Sequence, residues 1–154
     1  MKREGIFAAF LHVVILSVVI VAAVSFVVHN KTRVGLILLL LAFLPLVPLT
    51  VAGRSIQSVG ADIIFGAIDT GLLGIAALIG ASFAGVLGAI VGGAVGDAIT
   101  DALAGLFEGK VAESLRKRGI EEARTPLSTS MGKMSGCLLG VGITLTVAWT
   151  IIRL

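Results

Sequence analysis

Tyrosine is absent from this chain of 154 residues, tryptophan occurs once, at Trp149, and cysteine once, at Cys137. A lone cysteine excludes an intramolecular disulfide and leaves the redox compartment open. With so few Tyr and Trp rings, the aromatic belt that marks both faces of a bilayer is nearly missing. Phenylalanine and the Lys/Arg flanks are left to do that anchoring. Charge is scarce as well: 14% of residues are Asp, Glu, Lys or Arg and 57% are hydrophobic, against roughly 25% and 45–50% in a soluble domain. Mean hydropathy is +1.12. The chain therefore reads as an integral membrane protein. A net charge of +3 is too small to argue for a nucleic-acid partner, and the lack of any nucleotide-binding motif argues against a pump.

What is present is a set of long apolar runs. A spanning helix needs about 20 mostly apolar residues, and the runs near 5–28, 34–53, 61–80, 83–107 and 135–152 qualify. The expected fold class is all-α: one transmembrane domain over 1–154, a polytopic bundle of about five helices. The first run is too long for the h-region of a signal peptide, so a retained anchor is expected. His29, Asn30 and Lys31 make the first turn. Pro45 and Pro48 should kink the second run or end it early. Gly80-Ala81-Ser82 leaves almost no link between the third and fourth runs, which predicts a tight antiparallel hairpin. From Lys110 to Glu122 the chain becomes charged but stays compatible with a helical extension of the fourth run, with Gly119 as a candidate break. Lys2, Arg3, Arg54, Lys110, Arg116, Lys117, Arg118, Arg124 and Lys133 collect on one side; Lys31, Arg33 and Arg153 lie on the other. The positive-inside rule then puts the N-terminus inside and the C-terminus outside. With no targeting peptide in view, a plasma (cell) membrane is the simpler expectation.

Acids lie within these apolar runs, and they fall into register. Asp62 and Asp69 are seven apart on the third run, and Asp97, Asp101 and Glu108 are spaced four and seven apart on the fourth. At ~100° per residue each set projects from one helix face, within about 40°. An ionised carboxylate at bilayer depth costs at least ~2.5 kcal/mol. Asp69, Asp97 and Asp101 have no basic residue near them in sequence, so each must be protonated, hydrated or bound to a cation. Asp62 reads equally as a helix N-cap, and Glu108 as a partner of Lys110 or an interfacial group. On the expected topology the acids form a ladder from the inner face toward mid-membrane. That suits a conduction or exchange path.

Oxygen ligands of this kind suit hard divalent ions; sulfur favours softer ones. Met131, Met134 and Cys137 stand three apart at the start of the fifth run. Beside carboxylates they would suit a borderline ion such as Fe²⁺ or Mn²⁺, although Met and Cys also simply fill bundle cores. His12 and His29 read as lone polar or interfacial groups. Glycine stripes at Gly88, Gly92 and Gly96, and at Gly136 and Gly140, allow close backbone approach. They are explained either by packing inside one subunit or by a homodimer with the fourth helices near its two-fold axis.

The segment Ile63-Ile64-Phe65-Gly66-Ala67-Ile68-Asp69-Thr70-Gly71-Leu72 resembles the first-helix signature of the vacuolar iron transporter family. That signature runs from an apolar pair and a glycine to an Asp followed by Gly-Leu. The stretch from Gly96 through Asp97, Asp101 and Glu108 to Gly109 is similar to the family's second helix with its charged, Glu-bearing end. The resemblance implies that Asp69 lines a translocation path, with Asp97, Asp101 and Glu108 at the second helix's polar positions. There are departures. Thr70 is inserted between Asp and Gly, and Asp101 stands where the family commonly has Met. Two runs precede the matching hairpin, and the family's Glu- and Met-rich cytoplasmic metal-binding insertion is missing.

The leading expectation is thus a proton-coupled transporter of a divalent cation such as Fe²⁺ or Mn²⁺, not an enzyme, working as a homodimer in the lipid bilayer. Its metal ligands are drawn from Asp69, Asp97, Asp101, Glu108, Asp62 and Met134; no tightly bound cofactor is expected, the ion being the transported substrate. A non-catalytic membrane subunit or scaffold, in which the acids set helix pairing, is the alternative. A third reading rests on Gly93-x3-Asp97-x3-Asp101, which resembles the second half of the CDP-alcohol phosphotransferase signature, whose first half is absent.

Overall fold

The computed structural model describes residues 6–29, 33–117 and 125–152, the side chains at 57–58, 108–116 and 151–152 excepted. Helices make up the described chain, with no strand among the described residues. In order they are α1 (Ile6–His29), α2 (Val34–Leu41), α3 (Leu46–Val51), a 3₁₀ turn (Ile56–Val59), α4 (Gly60–Lys117), α5 (Pro126–Val147) and a π-helical turn (Ala148–Ile152). Four stretches, Ile6–His29, Val34–Val51, Gly60–Phe107 and Pro126–Thr150, are long and apolar enough to cross a membrane. Large apolar side chains such as Phe7, Phe10, Phe26, Phe43 and Phe83 are exposed, as a lipid-facing exterior requires. The chain is an integral membrane protein.

Two compact units divide it: residues 1–71 with 125–154, and residues 72–124. The first unit is built around α5. Ala9 and Leu16 of α1, Leu49 of α3, Val59, and Leu127 and Met131 of α5 form one buried apolar cluster, joined at its edge by Val13, Ile20, Leu44, Ile63 and Met134. The α1 contributors recur every three or four residues, the period of a single helix face. Helix α5 starts at Pro126, nine residues before the expected Ser135. The reason is local: Thr125 and Ser128 form a reciprocal capping box with Pro126 in the first turn, a combination that satisfies the free N–H groups at a helix start.

α5 closes on its neighbours through glycine. A Cβ on Gly136 would meet the Ile63 carbonyl, and one on Gly140 the Ala67 carbonyl. At Gly132 it would lie 2.8 Å from the Asp62 Cβ, and at Gly66 2.8 Å from the Lys133 carbonyl oxygen. Residues 59–71 and α5 therefore touch backbone to backbone. Thr144 adds a tie across the same seam, its hydroxyl donating to the Gly71 carbonyl at 3.1 Å.

The second expected span breaks as its prolines dictate. Residues 42–45 form turns between α2 and α3, where Leu46 N–H donates to the Phe43 carbonyl and Val47 N–H to the Leu44 carbonyl, both at 3.2 Å. Proline has no N–H, and its ring clashes with the carbonyl four residues back. The Ala42 carbonyl, which a continuous helix would bond to Leu46, is taken by the buried Ser135 hydroxyl of α5 at 2.7 Å. In lipid a freed backbone group must find such a partner.

The second unit is a helical hairpin. α4 is interrupted at Ala84 (φ −140°, ψ 25°) and Gly85 (φ 55°, ψ −133°), dividing it into a first arm, 60–83, of which residues 60–71 belong to the first unit, and a second arm, 86–117. The break falls two to three residues after the expected Gly80–Ser82 link, because Gly85 supplies the positive φ that reversal needs. Within the unit, Gly80 meets Gly88, Gly92 meets the Ala76 carbonyl, and Gly96 faces Ala76 and Leu73. The stripe of Gly88, Gly92 and Gly96 is thus covered inside the subunit. The α4 helix continues to Lys117; the rest of the charged extension toward Glu122, with the Gly119 break, lies outside the described residues, as do Asn30 and Lys31 of the first turn.

Ser135→Ala leaves the buried Ala42 carbonyl without its donor and should destabilise the fold by about 1–3 kcal/mol, read as a lower melting temperature in detergent. Gly140→Leu places a side chain into backbone that cannot yield and should abolish the folded, monodisperse protein in size-exclusion chromatography. Gly105→Ala, where a Cβ meets open space, should stay within ~1 kcal/mol of the native chain.

Candidate functional site

The acids expected to serve as ligands occupy three environments. Asp62 lies in the first turn of α4, where the positive end of the helix dipole favours a carboxylate. It is not the N-cap, since Gly60 and Ala61 precede it within the helix. Only 2% of its surface is exposed, and its Cβ sits directly against Gly132. Asp62 is therefore part of the α5 seam in the first unit.

Asp69 lies two turns further along the same arm and is half-buried. Asp97 and Asp101 belong to the second unit, one helical turn apart on the second arm, half-buried and exposed respectively. Two like charges at this spacing repel by a few tenths of a kcal/mol in water, and by more where the dielectric falls. A cation between them turns that repulsion into attraction. Thr100, between the two, points its hydroxyl at the carbonyls of Gly96 and Asp97, both at 3.1 Å. Glu108 continues the second arm two turns beyond Asp101; its side chain is outside the described residues.

The sulfur-bearing positions lie in the first unit. Met131 is fully buried in the apolar cluster of the first unit, and Met134 packs against the same cluster. Cys137 is a half-buried free thiol whose backbone N–H faces Gly66. His12 bonds through Nδ1 to the Ala8 carbonyl one turn back, at 2.7 Å, a local contact that leaves it on its own helix. Ser135 and Thr144, both tied to backbone carbonyls, were not singled out in the sequence. The signal for Ser135 is Pro45, which predicts a carbonyl in need of a donor without saying which donor arrives.

No family model matches the chain, and comparison with curated proteins and with solved structures gives no match.

Because Met134 sits in packing, Met134→Leu, which conserves volume, should cost less than ~1.5 kcal/mol. Thermal melting of the purified variant measures this, and Met134→Asp serves as the disruptive contrast.

Proposed function

We propose that the chain is a membrane transporter for a divalent metal cation such as Fe²⁺ or Mn²⁺, coupled to protons, with Asp69, Asp97 and Asp101 as the ligands of the transported ion. The observation that carries the reading is the register of the hairpin. Gly80 opposite Gly88, Ala76 opposite Gly92, and Leu73 opposite Gly96 step along the second arm four residues at a time and along the first by four and then three. The next turn along the sequence of each arm carries Asp69 on the first and, on either side of Thr100, Asp97 and Asp101 on the second.

Physical chemistry supports the same assignment. Residues 60–107 contain no Lys or Arg. The charge of these acids in an apolar stretch is costly unless something compensates it. Carboxylate oxygens suit hard and borderline divalent ions. Neighbouring carboxylates that accept either a cation or protons supply the exchange that proton coupling requires. Resemblance to the vacuolar iron transporters, carried by Asp69 and by the Asp97–Glu108 stretch, points the same way. Glu108 then lies toward the inner end of the path, while Asp62 and Met134 serve the packing of the first unit.

In this reading the chain crosses a plasma membrane five times, α2 and α3 together making one crossing and each arm of α4 another, with the N-terminus inside. A homodimer would meet on faces other than the Gly88–Gly96 stripe, which the hairpin itself covers.

The test is Mn²⁺ and Fe²⁺ flux into proteoliposomes under an imposed pH gradient. The native chain should carry ion above empty vesicles. Asp69→Asn and Asp97→Asn should each lower flux at least tenfold while keeping native helicity and elution volume, and Met134→Leu should leave it unchanged. Absence of flux for both ions at every pH gradient overturns the proposal.

A further inference from the structure

A groove of about 560 Å³ opens in the first unit, at the end of the bundle where α2 begins and α5 passes into the π-helical turn. Its lining is apolar along most of its length, from Val28, Val34, Leu36 and Leu145, with Trp149 beside them and Arg33 as the only charged member. The volume lies within the ~300–1,000 Å³ range of small-molecule sites. Gly35 sits at its wall because a Cβ there would lie 2.5 Å from the Thr146 hydroxyl.

Arg33 has nothing nearby in sequence to neutralise it. No Asp or Glu occurs between Glu4 and Asp62, and none follows Glu122, so α1, α2, α3, α5 and the π-turn contain no acid at all. Among the described residues Arg33 forms no ion pair, and its side chain is exposed. The two threonines of the groove are spent on their own helix: Thr146 donates to the Gly142 carbonyl at 2.7 Å and Thr150 to the Thr146 carbonyl at 2.6 Å. The polar demand of the groove is therefore a single positive charge at the start of α2, beside a long apolar trough.

We infer that the groove binds an anionic phospholipid, one acyl chain lying along Val34, Leu36 and Leu145 and the phosphate meeting Arg33. The complement of one cation and an apolar channel is an amphiphile with one anionic head, and the bilayer supplies that molecule. A planar guanidinium offers a phosphate two parallel hydrogen bonds. Trp149 fits the boundary, since its ring is suited to the headgroup level. The π-helical turn of residues 148–152 carries that ring, and such turns are frequent at functional sites. The inference concerns the first unit alone and stands apart from metal transport.

Trp149, the only tryptophan, makes the test direct. The full chain is reconstituted in phosphatidylcholine vesicles containing an equal mole fraction of phosphatidylglycerol, with bromine placed on the acyl chains of one lipid or the other. Bromine quenches the indole on contact. Phosphatidylglycerol should occupy the groove roughly fivefold in preference to phosphatidylcholine, the preference expected of one surface cation. Arg33→Gln should bring that ratio to about one at unchanged helicity, and Arg33→Lys should keep most of it. Equal quenching by the two lipids in the native chain, or an undiminished preference in Arg33→Gln, overturns the inference. Loss of the preference when millimolar inorganic phosphate is added also overturns it, assigning Arg33 to a free anion.

Discussion

In a bilayer the hydrophobic effect does not hold helices together, because lipid tails receive an apolar side chain as readily as another helix does. What remains is close packing and the requirement that backbone polar groups find partners. The first unit depends on this constraint at one place above all, the seam of Gly132, Gly136 and Gly140 against residues 59–71. There the main chains approach so closely that a single methyl group would strike a carbonyl. Dispersion contacts along such a seam are individually tiny and collectively large, which is how a helix with a modest share of large side chains becomes the centre of its unit.

Around that seam the other elements settle according to their defects. Pro45 forbids α2 and α3 from being one helix and exposes the Ala42 carbonyl, and Ser135 closes the exposed group from α5. The position of Ser135 is itself fixed by the seam, since it lies beside Gly136. Thr144, one turn beyond Gly140, closes onto Gly71 in the same manner. Small residues bring the backbones together, and hydroxyl side chains on neighbouring turns then satisfy what the close approach leaves open. The second unit uses glycine as well, but with the reversal at Gly85 setting the register and Gly88, Gly92 and Gly96 following from it.

Much of the architecture was legible in the chain. Apolar runs of spanning length, the proline break and the tight hairpin all rest on strong local physics, so length, ring closure and glycine content announce them. The exact reversal point was less visible: Gly80 and Gly85 look alike in sequence, and only packing shows that the first is a contact and the second a turn. The early start of α5 was written in Thr125, Pro126 and Ser128, but the polar residues that follow masked it as loop in a search for apolar length. For the acids, spacing identified which share a helix face, whereas the assignment of Asp62 to packing depends on Gly132, seventy residues away. Met134 was ambiguous for the same reason, because sulfur reads alike as ligand and as filler until its neighbours are known.

The distribution of charge separates two kinds of chemistry along one chain. Every acid in the sequence lies at position 4 or between 62 and 122, so the elements lining the groove at Arg33 carry none. An isolated cation beside an apolar trough selects an anionic amphiphile, just as carboxylates in a stretch without lysine or arginine select a cation. Neither could persist next to the other without collapsing into an ion pair that would spend both. A chain with only 14% charged residues has few to place. Acids are kept out of α1, α2, α3 and α5, where Arg33 stands, and bases are kept out of residues 60–107, where Asp69, Asp97 and Asp101 stand.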